Sequence, residues 1–183
     1  VIDIDVKNKV ITIQQTLTGE TYQESYDKLL LSPGASPIKP PIPGINSHHV
    51  YSLRSIPDMD KILVALAAEK PKHATVVGGG FIGLEMVEAL HHRGIDVTLL
   101  ELSDQVMAPV DREMANMLHR HMCEKGIDLR LKTGLAAISV ADFYPAEPEA
   151  TAVYDTPVTH THNSALMLSS GAMLQTGPVI LAT

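Results

Sequence analysis

Ala74-Thr75-Val76-Val77-Gly78-Gly79-Gly80-Phe81-Ile82-Gly83 is the stretch whose reading decides the fold. Its first four residues form a short run rich in β-branched side chains, the length and composition of a buried strand. The glycines follow without a spacer. Leu84, Val87 and Leu90 then recur at helical spacing as far as Arg93, where Gly94 supplies a C-terminal stop. Val97-Thr98-Leu99-Leu100 reads as the next strand, closed by Glu101. Asp111 can cap a further helix with Met114, Met117, Leu118, His121 and Met122 as its inward stripe, Gly126 ends it, and residues 127–131 make a third strand. Strand and helix alternating over such short connections predict right-handed βαβ units and a parallel sheet.

A Gly-x-Gly-x-x-Gly string alone also fits a plain crossover with a glycine-rich turn; the context here argues for more. Gly78 permits a tight strand-to-helix turn, Gly80 lets a pyrophosphate approach the backbone N–H groups at the helix N-terminus, and Gly83 allows close packing of the helix on the strands. Gly79, Phe81 and Ile82 complete the candidate cofactor cradle. Glu101 stands 18 positions beyond Gly83, placed to accept hydrogen bonds from an adenosine ribose. A 2′-phosphate there would meet a carboxylate, and the next basic residue is Arg112. Two anions at contact distance repel by about 1 kcal/mol even in bulk water. The expected cofactor is therefore NAD(H) rather than NADP(H).

Outward from this centre the signals weaken. Residues 1–32 read as short antiparallel strands, including Val10-Ile11-Thr12-Ile13, a turn at Thr18-Gly19-Glu20, and a buried strand at Lys28-Leu29-Leu30-Leu31. Between Ser32 and Gly44 five prolines and two glycines break regular structure and mark a domain boundary. Ser55, with Pro57 and Asp58 following, predicts a helix start, and Met59, Ile62, Leu63 and Leu66 carry that helix to about Lys70. Residues 141–163 are polar, hold Pro145, Pro148 and Pro157, and read as an irregular insertion. Residues 165–168 and 172–175 flank Ser169-Ser170-Gly171 as a hairpin, and 179–182 returns to the sheet. The chain opens in an alternating run without Met and stops after an apolar one, which reads as a segment of a longer polypeptide.

Composition narrows the function classes. In 183 residues, 45% hydrophobic and 19% charged side chains exclude disorder as a description of the whole chain. A net charge of -7 without a basic cluster argues against a nucleic-acid surface. No apolar stretch reads as a membrane span and no secretory signal opens the chain, so a cytoplasmic location is expected. The single cysteine, Cys123, has no partner and reads as a structural thiol beside the helix stripe. His160 and His162 are the one plausible metal pair, but they lack a third ligand at close spacing, so no metal site is expected. His91 and His92 end a helix, where imidazolium suits the dipole. Met114, Met117 and Met122 read as core filling.

Several strings together resemble the flavin-dependent pyridine nucleotide-disulfide oxidoreductases, most nearly their coenzyme A-disulfide reductase and NADH oxidase branch. They are Tyr26-Asp27-Lys28-Leu29-Leu30-Leu31-Ser32-Pro33-Gly34-Ala35, Ile42-Pro43-Gly44-Ile45, Tyr51-Ser52-Leu53-Arg54, and residues 76–85, 111–126 and 179–183. The resemblance implies an α/β fold: a Rossmann-like parallel sheet with helices on both faces, an antiparallel β-meander, and N-terminal strands left from a flanking FAD domain. It divides the chain into an FAD-domain remnant at 1–44, an NAD(H)-binding domain at 45–176 with the insertion at about 141–163, and a strand at 177–183 returning to the FAD domain.

By the same resemblance Ser32, Pro33, Gly34 and Ala35 lie near FAD, the Phe81 ring screens the nicotinamide pocket, and Glu85 lies near the nicotinamide end. The redox cysteine and the main FAD site of the family have no counterpart here, so no catalytic residue is expected in this segment. The implied activity of the whole protein is hydride transfer from NADH to FAD and on to a disulfide, a persulfide or oxygen. Its implied partners are flanking FAD and dimerisation domains of the same polypeptide, in a homodimer. Two other readings stay open: a non-catalytic dinucleotide-binding module that senses redox state, and a ferredoxin-type or nitrite reductase flavoprotein of the same superfamily.

Overall fold

The computed structural model describes residues 1–140 and 164–182; the insertion expected at 141–163, with His160 and His162, lies outside the described residues. The chain divides into two compact units, Val1–Ala35 and Ser36–Thr183.

The first unit is an antiparallel meander of β1 (Asp3–Asp5), β2 (Val10–Gln14) and β3 (Thr21–Ser25), in that spatial order. The β1–β2 turn is held by Asp5, whose carboxylate accepts the N–H groups of Lys7 and Asn8 at 3.0 and 2.9 Å. The expected turn at Gly19 joins β2 to β3. Lys28-Leu29-Leu30-Leu31 is not a strand, and Leu30 is 90% exposed. Its apolar composition suggested burial, but the sheet ends at β3 and no described strand pairs with the run.

The second unit opens with β4 (Val50–Ser52), α1 (Ile56–Glu69), β5 (His73–Val77), α2 (Phe81–His91), β6 (Asp96–Leu100), α3 (Arg112–Glu124) and β7 (Asp128–Arg130). It continues with β8 (Leu135–Val140), β9 (Ser164–Leu168), β10 (Met173–Thr176) and β11 (Val179–Leu181). Ser55 caps α1 as expected, with Asp58 Oδ2 accepting the Ser55 N–H at 3.0 Å and the Ser55 hydroxyl at 2.7 Å. The parallel sheet has the order β4-β11-β5-β6-β7. Val179–Leu181 returns to the sheet as expected, hydrogen-bonded on both sides within it, to β4 and to β5.

Strand alternation gives the sheet two different faces. Ala74, Val76, Val97, Leu99 and Ile180 share one face with Ile62 of α1, Val87 and Leu90 of α2, and Met122 of α3. Leu100, Val179 and Leu181 face the other way and pack on Ile138 of β8 and on Leu166 and Leu168 of β9. The helices thus cover one face only, and the antiparallel sheet β10-β9-β8 covers the other. This corrects the expectation of helices on both faces. The strands β4, β5, β6 and β7 advance across the sheet in one direction, so right-handed crossovers put every helix on the same side.

The expected phase of α3 is also corrected. Met114 and Met117 are 56% and 64% exposed, and His121 and Cys123 are exposed as well. The inward face is Ala115, Leu118 and Met122, about one residue out of register with the expected stripe. Met114 and Met117 are therefore not core filling, and Cys123 is an exposed free thiol.

Candidate functional site

The turn from β5 to α2 is shaped by backbone alone. Gly78 has φ 108°, a conformation that favours glycine, and its N–H donates to Leu100 O at 2.8 Å across the sheet. A Cβ on Gly83 would sit 1.9 Å from Gly78 O, so the first turn of α2 can close on the bend only with glycine there. Gly80 is the N-cap of α2, with φ -80° and ψ -170°. A Cβ on Gly80 would meet no atom within 4 Å. No side chain caps this helix end, and its first turn carries no acidic residue. The helix thus begins with no side chain bonded to its leading N–H groups, with open space beside Gly80 and the positive end of the helix dipole behind it. Phe81 and Ile82 flank the opening and are 66% and 44% exposed, while Glu85 is exposed one turn on.

Gly79 has a reason of its own. Its N–H donates to Glu101 Oε2 at 2.6 Å, its carbonyl accepts the Met107 N–H at 2.8 Å, and a Cβ would come 2.9 Å from Val106 Cγ1. The loop after β6 is thus tied to the glycine turn at both of its ends. Residues 102–106 form the span between the two ties.

Glu101 follows directly on β6, partly buried, with its own N–H on Arg130 O at 2.9 Å. Its Oε1 accepts the Ser103 N–H at 2.7 Å and also the Ser103 hydroxyl. Burial pushes this carboxyl up. The Ser103 hydroxyl and the N–H groups of Ser103, Gly79 and Leu102 outweigh that effect and hold it below the usual carboxylate range. Glu101 is therefore an anion at neutral pH, fixed against the turn rather than swinging free.

The structure brings Gly78, Gly79, Gly80, Phe81, Ile82, Gly83 and Glu101 to the C-terminal edge of the parallel strands, and Glu85 to the adjoining turn of α2. Ser32, Pro33, Gly34 and Ala35 belong to the first unit, where they are exposed. Sequence reasoning missed the structural partners of Glu101. Three consecutive glycines were the available signal that the middle one has a packing role. Among the described residues no group of three or more His, Cys, Asp or Glu side chains could hold a metal ion, and no helix is long and apolar enough to cross a membrane.

Residues 1–164 match the family model for pyridine nucleotide-disulphide oxidoreductase. The coenzyme A disulfide reductase of Staphylococcus haemolyticus is 35% identical over 138 residues, which are 75% of this chain and 31% of that protein. The NADH oxidase of Enterococcus faecalis is 35% identical over 130 residues, 70% of this chain and 29% of its own length. The crystal structure of reduced Bacillus anthracis CoADR-RHD superposes with a TM-score of 0.75 and 42% identity, covering 100% of this chain and 29% of that one. The chain thus spans less than a third of the length of these relatives. With nine-tenths of its residues under one family model, the chain belongs to the pyridine nucleotide-disulphide oxidoreductases.

Proposed function

We propose that this chain is the NAD(H)-binding part of a flavoprotein oxidoreductase that passes hydride from NADH to FAD and on to a disulfide, a persulfide or oxygen. The observation that carries this reading is the α2 N-terminus, uncapped and uncovered at Gly80, with the Glu101 carboxylate bonded to the neighbouring Gly79. In this reading residues 1–44 are the remnant of an FAD domain, with 32–35 near the flavin, and the dinucleotide domain runs from about residue 45 and takes in β11. The two cofactors, when bound, supply the redox chemistry; this chain supplies binding and orientation.

The leading N–H groups of α2 hold the pyrophosphate oxygens, and Gly80 leaves room for them. Glu101 accepts the ribose hydroxyls. The Ser103 hydroxyl has a second acceptor, Gln105 O at 3.1 Å, and one proton cannot serve both. A ribose hydroxyl donating to Glu101 can therefore turn the Ser103 proton to Gln105 O without leaving either group unpaired. Phe81 screens the nicotinamide pocket and Glu85 borders it. The fixed negative charge of Glu101 disfavours a 2′-phosphate, so NADH binds in preference to NADPH.

The test is titration of the 183-residue chain with NADH and NADPH, followed through the backbone amides of residues 78–83. Expected are shifts confined to that turn and to Glu101, weak but preferential binding of NADH, and no disulfide reductase turnover by this chain alone. Unmoved amides at millimolar NADH would remove the cofactor assignment, and equal affinities would remove the preference. A Glu101→Gln variant should narrow the gap between the two cofactors.

A further inference from the structure

The loop between the two ties to Gly79 carries an ion pair that the cofactor assignment leaves unexplained. Asp104 Oδ2 accepts from the Arg112 guanidinium, which belongs to the first residue of α3. Lys132 lies close enough to add to the attraction, and its N–H donates to Ser103 O at 2.8 Å, which fixes the β7–β8 connection beside the loop. The Arg112 hydrogen bond, its charge and the Lys132 charge together hold the Asp104 carboxyl below its ordinary range. Asp104 is thus ionised, paired with Arg112 and attracted by Lys132, three residues beyond the carboxylate proposed to read the ribose.

The placement matters because a 2′-phosphate on that ribose would enter the same neighbourhood, where an arginine is the group that accommodates it in NADP-binding sites. The fold delivers an arginine and a lysine to this loop and then opposes them with Asp104. We infer that Asp104 is a specificity-determining residue: by pairing with Arg112 and opposing Lys132, it withholds both cations from a 2′-phosphate and reinforces the exclusion that Glu101 begins. This rests on the proposed NAD(H) site. It adds that discrimination is shared, so that removing the Asp104 charge loosens it with Glu101 untouched.

The probes are 5′-ADP and 2′,5′-ADP, which differ only in the 2′-phosphate, titrated calorimetrically into the full chain at low ionic strength, where exposed charges are least screened. In the unaltered chain 2′,5′-ADP should bind more weakly than 5′-ADP. Asp104→Asn should tighten 2′,5′-ADP by about tenfold, ~1.4 kcal/mol, and leave 5′-ADP within about twofold. Adding Arg112→Gln should reverse most of that gain. Arg112→Gln alone should leave 2′,5′-ADP binding unchanged, because the paired guanidinium contributes nothing to it. If Asp104→Asn keeps its fold and its 5′-ADP affinity but does not tighten 2′,5′-ADP, the masking role is wrong and the NAD(H) site stands. If the unaltered chain binds neither nucleotide, the site assignment falls and this inference falls with it.

Discussion

Two glycines three residues apart should respond to the same substitution in opposite ways. In Gly83→Ala the new methyl would be placed 1.9 Å from Gly78 O, where real Cβ atoms stay beyond 3.0 Å, so turn and helix must separate by more than 1 Å. Overpacking of a tight contact costs roughly 1–3 kcal/mol and sometimes more, and backbone meeting backbone has no rotamer through which to relax. We expect about 3 kcal/mol or more, a fall in Tm of roughly 6–12 °C for a chain of this size. In Gly80→Ala the methyl meets nothing within 4 Å, and φ -80° is open to any residue. The poorer N-cap costs about 0.5–1 kcal/mol, and the smaller unfolded-state entropy returns about 0.4–1 kcal/mol. The two nearly cancel, so Tm should move by less than about 2 °C. Binding should not survive so well, because the methyl occupies the approach of the pyrophosphate. Losing one charge-assisted hydrogen bond, worth roughly 1.5–3 kcal/mol, means at least a tenfold loss of NADH affinity. Thermal melts followed by circular dichroism and NADH titrations on the same samples separate the effects. A Gly80→Ala chain that melts normally and binds NADH as before would show that no phosphate rests on Gly80. Equal melting of the two variants would refute the steric argument.

Two further substitution tests follow. Met122→Ala should cost about 2 kcal/mol or more and Met117→Ala less than about 0.5 kcal/mol in urea unfolding, since Met122 is 8% exposed and Met117 is 64% exposed; similar costs would mean that α3 is rotated. Burial holds His73 below its ordinary value, with Asp96 and Asp128 pulling it up and Arg130 adding to the fall. The unfolded chain therefore takes up this proton first as pH drops, so the stability His73 contributes is complete above about pH 7, is lost from about 6.5 downward, and levels off once the native ring is protonated. Urea midpoints from pH 7.5 to 5 should fall more steeply for the unaltered chain than for His73→Asn, and parallel curves would overturn this.

What could be read in advance was local. The strand, glycine turn and helix at 74–91 carry their own steric and capping instructions, and Ser55 with Pro57 marks the start of α1 in the same way. The ends of α3 were legible from Asp111 and Gly126, but its phase was not. Met114 and Met117 both lie on one side of the true inward row of Ala115, Leu118 and Met122, so an apolar stripe drawn through all the methionines is rotated towards them. β4 is three residues long and β8 is alanine-rich with a register shift after Leu135, too little signal for either. The remaining features are contacts across the sequence. Gly79 is explained by Glu101 and Val106, and the His73 ring bridges Thr176 and Thr98 at 3.0 Å on each side. No periodicity encodes such partners.

That ring also fixes the direction of a hydrogen-bond chain. Thr98 donates to Asp128 Oδ2 at 3.0 Å, and an ionised carboxylate can only accept. The Thr98 hydroxyl must then accept from His73 Nε2–H, which leaves Nδ1 of the neutral ring as an acceptor for the Thr176 hydroxyl. Thr176 in turn accepts from Thr75 at 2.9 Å. A proton on Nδ1 would make the Thr176 hydroxyl accept from both His73 and Thr75 and take away the ring nitrogen as acceptor for its own proton, so the neutral ring satisfies the chain best. The seam joins β10 to β5, β6 and β7 on the sheet face that the antiparallel sheet β10-β9-β8 covers, and Thr75, Thr98 and Thr176 are buried in it. The glycine turn is held on the same logic, from outside itself: Gly78 by Leu100, and Gly79 by Glu101 and Met107. Because neighbouring elements hold the bend, none of its own side chains need cover it, and the α2 N-terminus can be both rigid and open. Glu101 cannot be altered without loosening that support, so under the proposed NAD(H) reading adenosine recognition and the phosphate turn are energetically one unit.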